Sequence, residues 1–229
     1  MSNVSKVRPG IAFALILIMS CALLRSANAA TVTYTTLASF NNALKSNPYL
    51  NPKTVTFDDQ ANGYTIPNGS VYDGLTWSTS APSLVITNAY GYVSSPNTLG
   101  ANYPTQTFFN DGDSLDIMFP KPVYAFGVWF DTYYSYAGAY SLTTDTNQTA
   151  QSGYNPVNGP YGEFAGLITS QPFTSIHISS QPTPVGVPVA DEGFVIDNAT
   201  YAVPEPGALA MLAGSGLSML GFVLRRRKA

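Results

Sequence analysis

Between residues 30 and 202 apolar positions recur mostly at every second residue, in short runs set apart by Gly, Pro, Asn and Asp. Val32 and Tyr34 alternate with Thr31, Thr33 and Thr35, which predicts an opening strand. Leu37, Phe40 and Leu44 then fall on one helical face, which predicts a short helix over Leu37 to Lys45, with Asn47 to Pro52 as a break. Strands are predicted at Thr54–Phe57, Leu75–Thr79, Leu84–Thr87, Leu115–Phe119, Val123–Phe130, Ala139–Thr143, Phe164–Thr169, Thr174–Ser179 and Phe194–Tyr201. About ten short strands with no βαβ rhythm predict an all-β fold, a single β-sandwich of eight-stranded jelly-roll type with one N-terminal helix. In Val123–Phe130 both faces are apolar, so this is the expected central strand, with Gly127 admitting close packing from the facing sheet.

The two ends follow a different pattern. Lys6 and Arg8 precede an apolar run from Ile11 to Leu24, and Ala27-Asn28-Ala29 supplies small residues in a small-x-small arrangement. This reads as a secretory signal peptide over residues 1–29, cut by signal peptidase before Ala30; a retained anchor and a lipoprotein signal at Cys21 fit less well. Cys21 is the only cysteine, so the mature chain has no thiol, and disulfides and cysteine nucleophiles are excluded. A domain of this size buries roughly 70% of its unfolded surface and can fold without such staples.

At the other end, Val203-Pro204-Glu205-Pro206 precedes an apolar run from Ala208 to Leu224 and the basic cluster Arg225, Arg226, Arg227 and Lys228. Two prolines around one residue keep the backbone extended, the form a protease seats. The apolar run spans about 26 Å as a helix, slightly less than the hydrocarbon core, and the basic cluster holds its far end on the cytoplasmic side. This tail resembles a PEP-CTERM sorting signal. The resemblance implies a transmembrane sorting helix and removal of the tail by an exosortase, a membrane cysteine protease of bacteria that make exopolysaccharide. It divides the chain into a signal peptide (1–29), a β-sandwich domain (30–202) and a sorting signal (203–229). The segments PVYAFGVWF, FAGLITSQPFTSIHIS and FVIDNATY also resemble the folded domain of many exported PEP-CTERM proteins.

Composition narrows the function. Charged residues are 10% of the chain, hydrophobic residues 45% and aromatics 13%, with a net charge of −3. Seven of the ten basic residues lie near the ends, leaving three bases and twelve acids from Ala30 to Val203, a net −9. Such a domain repels nucleic acid and anionic lipid.

Catalytic constellations fail on inventory. His177 is the only histidine and shares a strand face with Ser175 and Ser179, and no GxSxG elbow exists. Glycoside hydrolysis needs two carboxylates across a cleft, yet nothing in the spacing pairs Glu163 with Asp131, Asp111, Asp113 or Asp116. No catalytic residue and no cofactor is expected. A structural Ca²⁺ ion has weak candidates in Asp58, Asp59, Asp197 and Asn198, should the first and last strands be neighbours. Tyr90, Tyr92, Tyr103, Tyr154 and Tyr161 sit mainly in Gly-, Ser- and Asn-rich connections, as does the cluster Tyr133, Tyr134 and Tyr136. Tyrosine joins an apolar ring to a hydroxyl, which suits sugar faces, so this cluster is the candidate ligand-binding element of a polysaccharide-binding module. The alternatives are a secreted polysaccharide-active enzyme using Asp and Glu, and a structural matrix or adhesion component.

Overall fold

Two strands run far longer than the sequence pattern suggests. In the computed structural model, which describes residues 30–89, 96–132, 138–153, 161–180 and 193–205, β8 spans Ser114–Thr132 and β11 spans Tyr161–Ser180. Each joins two of the predicted strands. The pattern breaks at Pro120-Lys121-Pro122 and at Gln171-Pro172 read as turns; they are instead bends within continuous strands. Residues 120–122 are exposed, and the β8–β11 register shifts between Ile168 and Phe173 and again before Ser175. Proline cannot donate to a ladder, so it sits where pairing is interrupted.

The other elements are β1 (Thr31–Tyr34), α1 (Leu37–Lys45), β2 (Leu50–Val55), β3 (Thr65–Ile66), β4 (Ser70–Tyr72), β5 (Leu75–Thr79), β6 (Leu84–Thr87), β7 (Thr98–Ala101), β9 (Tyr140–Thr144), β10 (Thr149–Gln151) and β12 (Phe194–Pro204). Among the described residues the fold is all-β with one short helix. The described strands form one hydrogen-bonded network in the order β10-β9-β11-β8-β12-β7-β6-β3, with β1 on β11, β2 on β12, and β4 and β5 joined to β8. Twelve strands replace the expected ten, because β3, β4, β7 and β10 are too short to show a period and two pairs of predicted strands merge. Asn51 and Pro52, read as a break, lie inside β2; a strand that among the described residues pairs only with β12 tolerates a proline.

The two halves of β8 have different surroundings. From Ser114 to Phe119 buried and open positions alternate, with Leu115, Ile117 and Phe119 inward and Ser114, Asp116 and Met118 outward. From Ala125 to Thr132 only Trp129 is not fully buried. Phe126, Val128 and Phe130 join Leu115, Ile117 and Phe119 in one core, and the Phe119 and Phe126 rings meet edge to face at 5.9 Å. The bend therefore folds both halves of one strand around the same core.

On the opposite face of β8, α1 is the cover. Thr36 caps it, its side chain accepting from the Ser39 N–H, and Lys45 lies in the last turn. Phe40 and Leu44 are buried with Ala125, Phe164 and Ala202. Gly127 gives room here rather than toward a facing sheet: a Cβ on it would lie 2.6 Å from the Phe164 ring and 2.9 Å from that of Phe40. Gly127→Val should cost about 1–3 kcal/mol through overpacking. A urea melt checks this; an unchanged midpoint would show that α1 does not seat tightly on β8.

Candidate functional site

The last strand carries the sequence's most specific signal into the domain. The C-terminal half of β12 pairs with β2, setting Ala202 opposite Pro52, Val203 opposite Asn51 and Pro204 opposite Leu50. Beyond the strand, the Glu205 N–H donates to the Tyr49 carbonyl at 2.9 Å. The hydroxyls of Thr54 and Thr200 meet at 2.8 Å across the same pair of strands. Ala202 is buried under α1, and Val203 packs against the main core. Val203 and Pro204 are thus extended strand residues held by β2, and the Glu205 N–H carries the hold one residue further.

Residues 202–228 match the family model of the PEP-CTERM protein-sorting motif. The chain carries a PEP-CTERM sorting motif. The motif implies an exported protein sorted by an exosortase. No curated protein and no solved structure matches the chain. Pro206, the apolar run, Arg225, Arg226 and Arg227 lie outside the described residues, as does the predicted signal peptide. Among the described residues no helix is long and apolar enough to cross a membrane.

The tyrosine cluster Tyr133, Tyr134 and Tyr136 also lies outside the described residues, with Tyr90, Tyr92 and Tyr154. Tyr103 is described, and its hydroxyl donates to both carboxylate oxygens of Asp113 at 2.8 and 2.9 Å, which ties it to its own loop. Burial pushes its ionisation up, and the Asp113 bond adds to this.

The structure separates the carboxylates. Glu163 is opposite Phe130, and Gly162 is opposite Asp131, so strand alternation turns Glu163 and Asp131 to opposite faces of the sheet. Asp131 instead shares a face with Trp129 and with Asp197, which lies across from Trp129 on β12. The Trp129 indole N–H donates to Asp131 Oδ1 at 3.0 Å, while among the described residues Oδ2 has no partner. The indole lies over Gly162, where a Cβ would come within 2.2 Å of it.

Asp131 is 2% exposed. Burial raises its pKa from 3.8 to about 7, opposed by the Trp129 hydrogen bond and reinforced by the nearby Asp197 charge. In the unfolded chain the carboxyl ionises near 4. From there to about 7 the folded protein keeps a proton that the unfolded chain has released. The protonated acid's contribution is therefore full below about pH 4 and is lost as pH climbs through 7. Asp131→Asn should flatten this decline and stabilise the domain by about 1–3 kcal/mol at pH 8, as for relief of one poorly paired buried group. Denaturant melts from pH 4 to 8 test this, and parallel profiles for the two proteins would refute it.

The carboxylates proposed as calcium ligands all accept hydrogen bonds within the fold. Asp58 Oδ1 accepts from the Asn97 N–H at 2.9 Å, and Asp59 accepts from the Tyr72 hydroxyl and from Gln60. Asp197 Oδ1 accepts from the Asn198 N–H at 2.7 Å, in a turn where Asn198 has φ +49°. Among the described residues no group of three or more His, Cys, Asp or Glu side chains is placed to hold a metal. His177 is exposed, and its Nδ1 lies 2.8 Å from Asp116 Oδ1 on β8.

One concavity escaped the sequence reading. A cleft of about 780 Å³ opens beside β1, β9 and β10, lined by Thr33, Thr35, Gly138, Ser141, Thr143, Thr149, Ala150, Gln151 and Ser152. None of these side chains is charged or aromatic. From its Thr149 and Thr143, the register runs on through His177, Asp116 and Ser78 on the next three strands. The available signal was the outward-facing Thr and Ser in Thr31-Val32-Thr33 and Ser141-Leu142-Thr143, which merely register as the polar half of a strand.

Proposed function

We propose that this is an exported cell-surface or extracellular-matrix protein, freed from the membrane by an exosortase, whose jelly-roll-like β-sandwich binds neutral polysaccharide without transforming it. The observation that carries the binding half is the uncharged, hydroxyl- and amide-lined cleft beside β1, β9 and β10. Sugar hydroxyls are both donors and acceptors, and rotatable Ser and Thr hydroxyls meet them in either sense. A net −9 across the mature domain disfavours anionic polymers such as alginate.

A non-catalytic role is supported by the placement of Asp131 and Glu163 on opposite faces, since retaining and inverting glycosidases both need two carboxylates flanking one bond. The protein on this reading needs no cofactor. The carboxylates of Asp58, Asp59 and Asp197 already accept hydrogen bonds from within the fold, so EDTA should leave the melting temperature unchanged. A fall on EDTA treatment, reversed by Ca²⁺, would establish a structural ion instead.

Affinity electrophoresis of the mature protein in gels cast with cellulose derivatives, alginate or native exopolysaccharide tests the binding. Retardation is expected in the neutral polymer and little in alginate. Thr143→Ala with Thr149→Ala should weaken binding roughly tenfold, as for two hydrogen bonds of about 0.5–1.5 kcal/mol each. If only replacement of Tyr133, Tyr134 and Tyr136 by Ala abolishes retardation, the aromatic cluster is the site and the cleft is not. Release of reducing ends would favour the polysaccharide-active enzyme, and no retardation in any gel would leave the structural matrix component.

A further inference from the structure

Among the described residues β2 has one pairing partner, β12, and the support behind that partner changes along its length. Thr200, Tyr201 and Ala202 are paired on their other side with β8, opposite Gly127, Phe126 and Ala125. Among the described residues Val203 and Pro204 have no such second partner; they pair with Asn51 and Leu50 of β2. The hold continues one residue further, where the Glu205 N–H donates to Tyr49. Side chains secure both strands: Val203 packs against the main core, and Leu50 against the cluster under α1.

We propose that β2 is an intramolecular holder for the first residues of the sorting motif, so that the processing protease must release Val203, Pro204 and Glu205 from β2 before it can cut upstream of Glu205. The idea rests on the sorting motif and is independent of any polysaccharide binding. A protease commonly seats its substrate by adding the extended peptide to a strand edge of its own. Val203 and Pro204 already have an edge occupied by β2, and releasing them exposes packed apolar surface. The first bond whose cleavage leaves this pairing intact is therefore the one C-terminal to Glu205. Hydrolysis there consumes one water, leaving the new carboxylate on the domain and the new amine on the tail. The exported product keeps β12 whole, whereas a cut before Val203 would strip Leu50 and Asn51 of their partners.

Three readouts on the full chain test this. After co-expression with an exosortase, intact mass of the released protein should place its last residue at Glu205 or later. A product ending at Pro204 or earlier overturns the proposal. In the uncut protein, the Glu205 amide should exchange hydrogen far more slowly than an open peptide. Exchange at the open-chain rate also overturns it. Leu50→Asp, which unseats β2 at this end, should raise the processing rate several-fold in a pulse-chase and yield some product cut upstream of Glu205. A folded variant with unchanged rate and terminus refutes the holding role. If the variant fails to fold, the two wild-type measurements decide.

Discussion

The C-terminal half of β8 is buried on both faces, and the rest of the fold is arranged to make that burial possible. A strand in this position exposes no edge and no face, so its backbone groups must pair on both sides and its side chains must be covered above and below. β11 and β12 supply the pairing. The core around Phe126, Val128 and Phe130 covers one face, and α1, through Phe40 and Leu44, covers the other. The glycines at 127 and 166 follow from this, since the rings of Phe40 and Phe164 occupy the space their side chains would need.

Placing β12 beside β8 has a consequence for export. The sheet needs β12 as the partner of both β8 and β2, so the strand that immediately precedes the motif's prolines is among the best-buried parts of the domain. Removal of the tail then threatens the fold only if the cut reaches upstream of Glu205. Processing and stability meet in the few residues where β12 has passed the end of its pairing with β8 but still lies on β2.

Much of this was legible in the sequence, for reasons tied to particular residues. The helix at Leu37–Lys45 was readable because Leu37, Phe40 and Leu44 keep a helical period. The central strand was readable because both its faces are apolar. Strand ends were not, because Pro52, Pro120, Pro122 and Pro172 resemble chain breaks until an edge position or an interrupted ladder is seen to accept them. The sorting motif announced itself through spacing, yet its attachment to β2 could not, because pairing between Leu50 and Pro204 leaves no local trace in either segment. The cleft was hidden for the same reason: β1 and β10 are far apart in sequence, and an outward Thr looks alike whether it lines a cleft or faces open water.

The polar surface of this domain is built mainly from hydroxyls and amides rather than charges, and that choice fits a protein with few lysines and arginines. Ion pairs on a surface are weakened by salt, whereas hydroxyl contacts such as Ser141 with Ser179 and Thr54 with Thr200 are neutral and largely indifferent to it. The same scarcity of cations explains Asp131. Its neighbours on the sheet face are the Trp129 indole and another carboxylate, Asp197, so burial without a cation raises its pKa to about 7. With only three lysines between Ala30 and Val203, the domain pairs acids with hydroxyls, indole and backbone N–H groups instead.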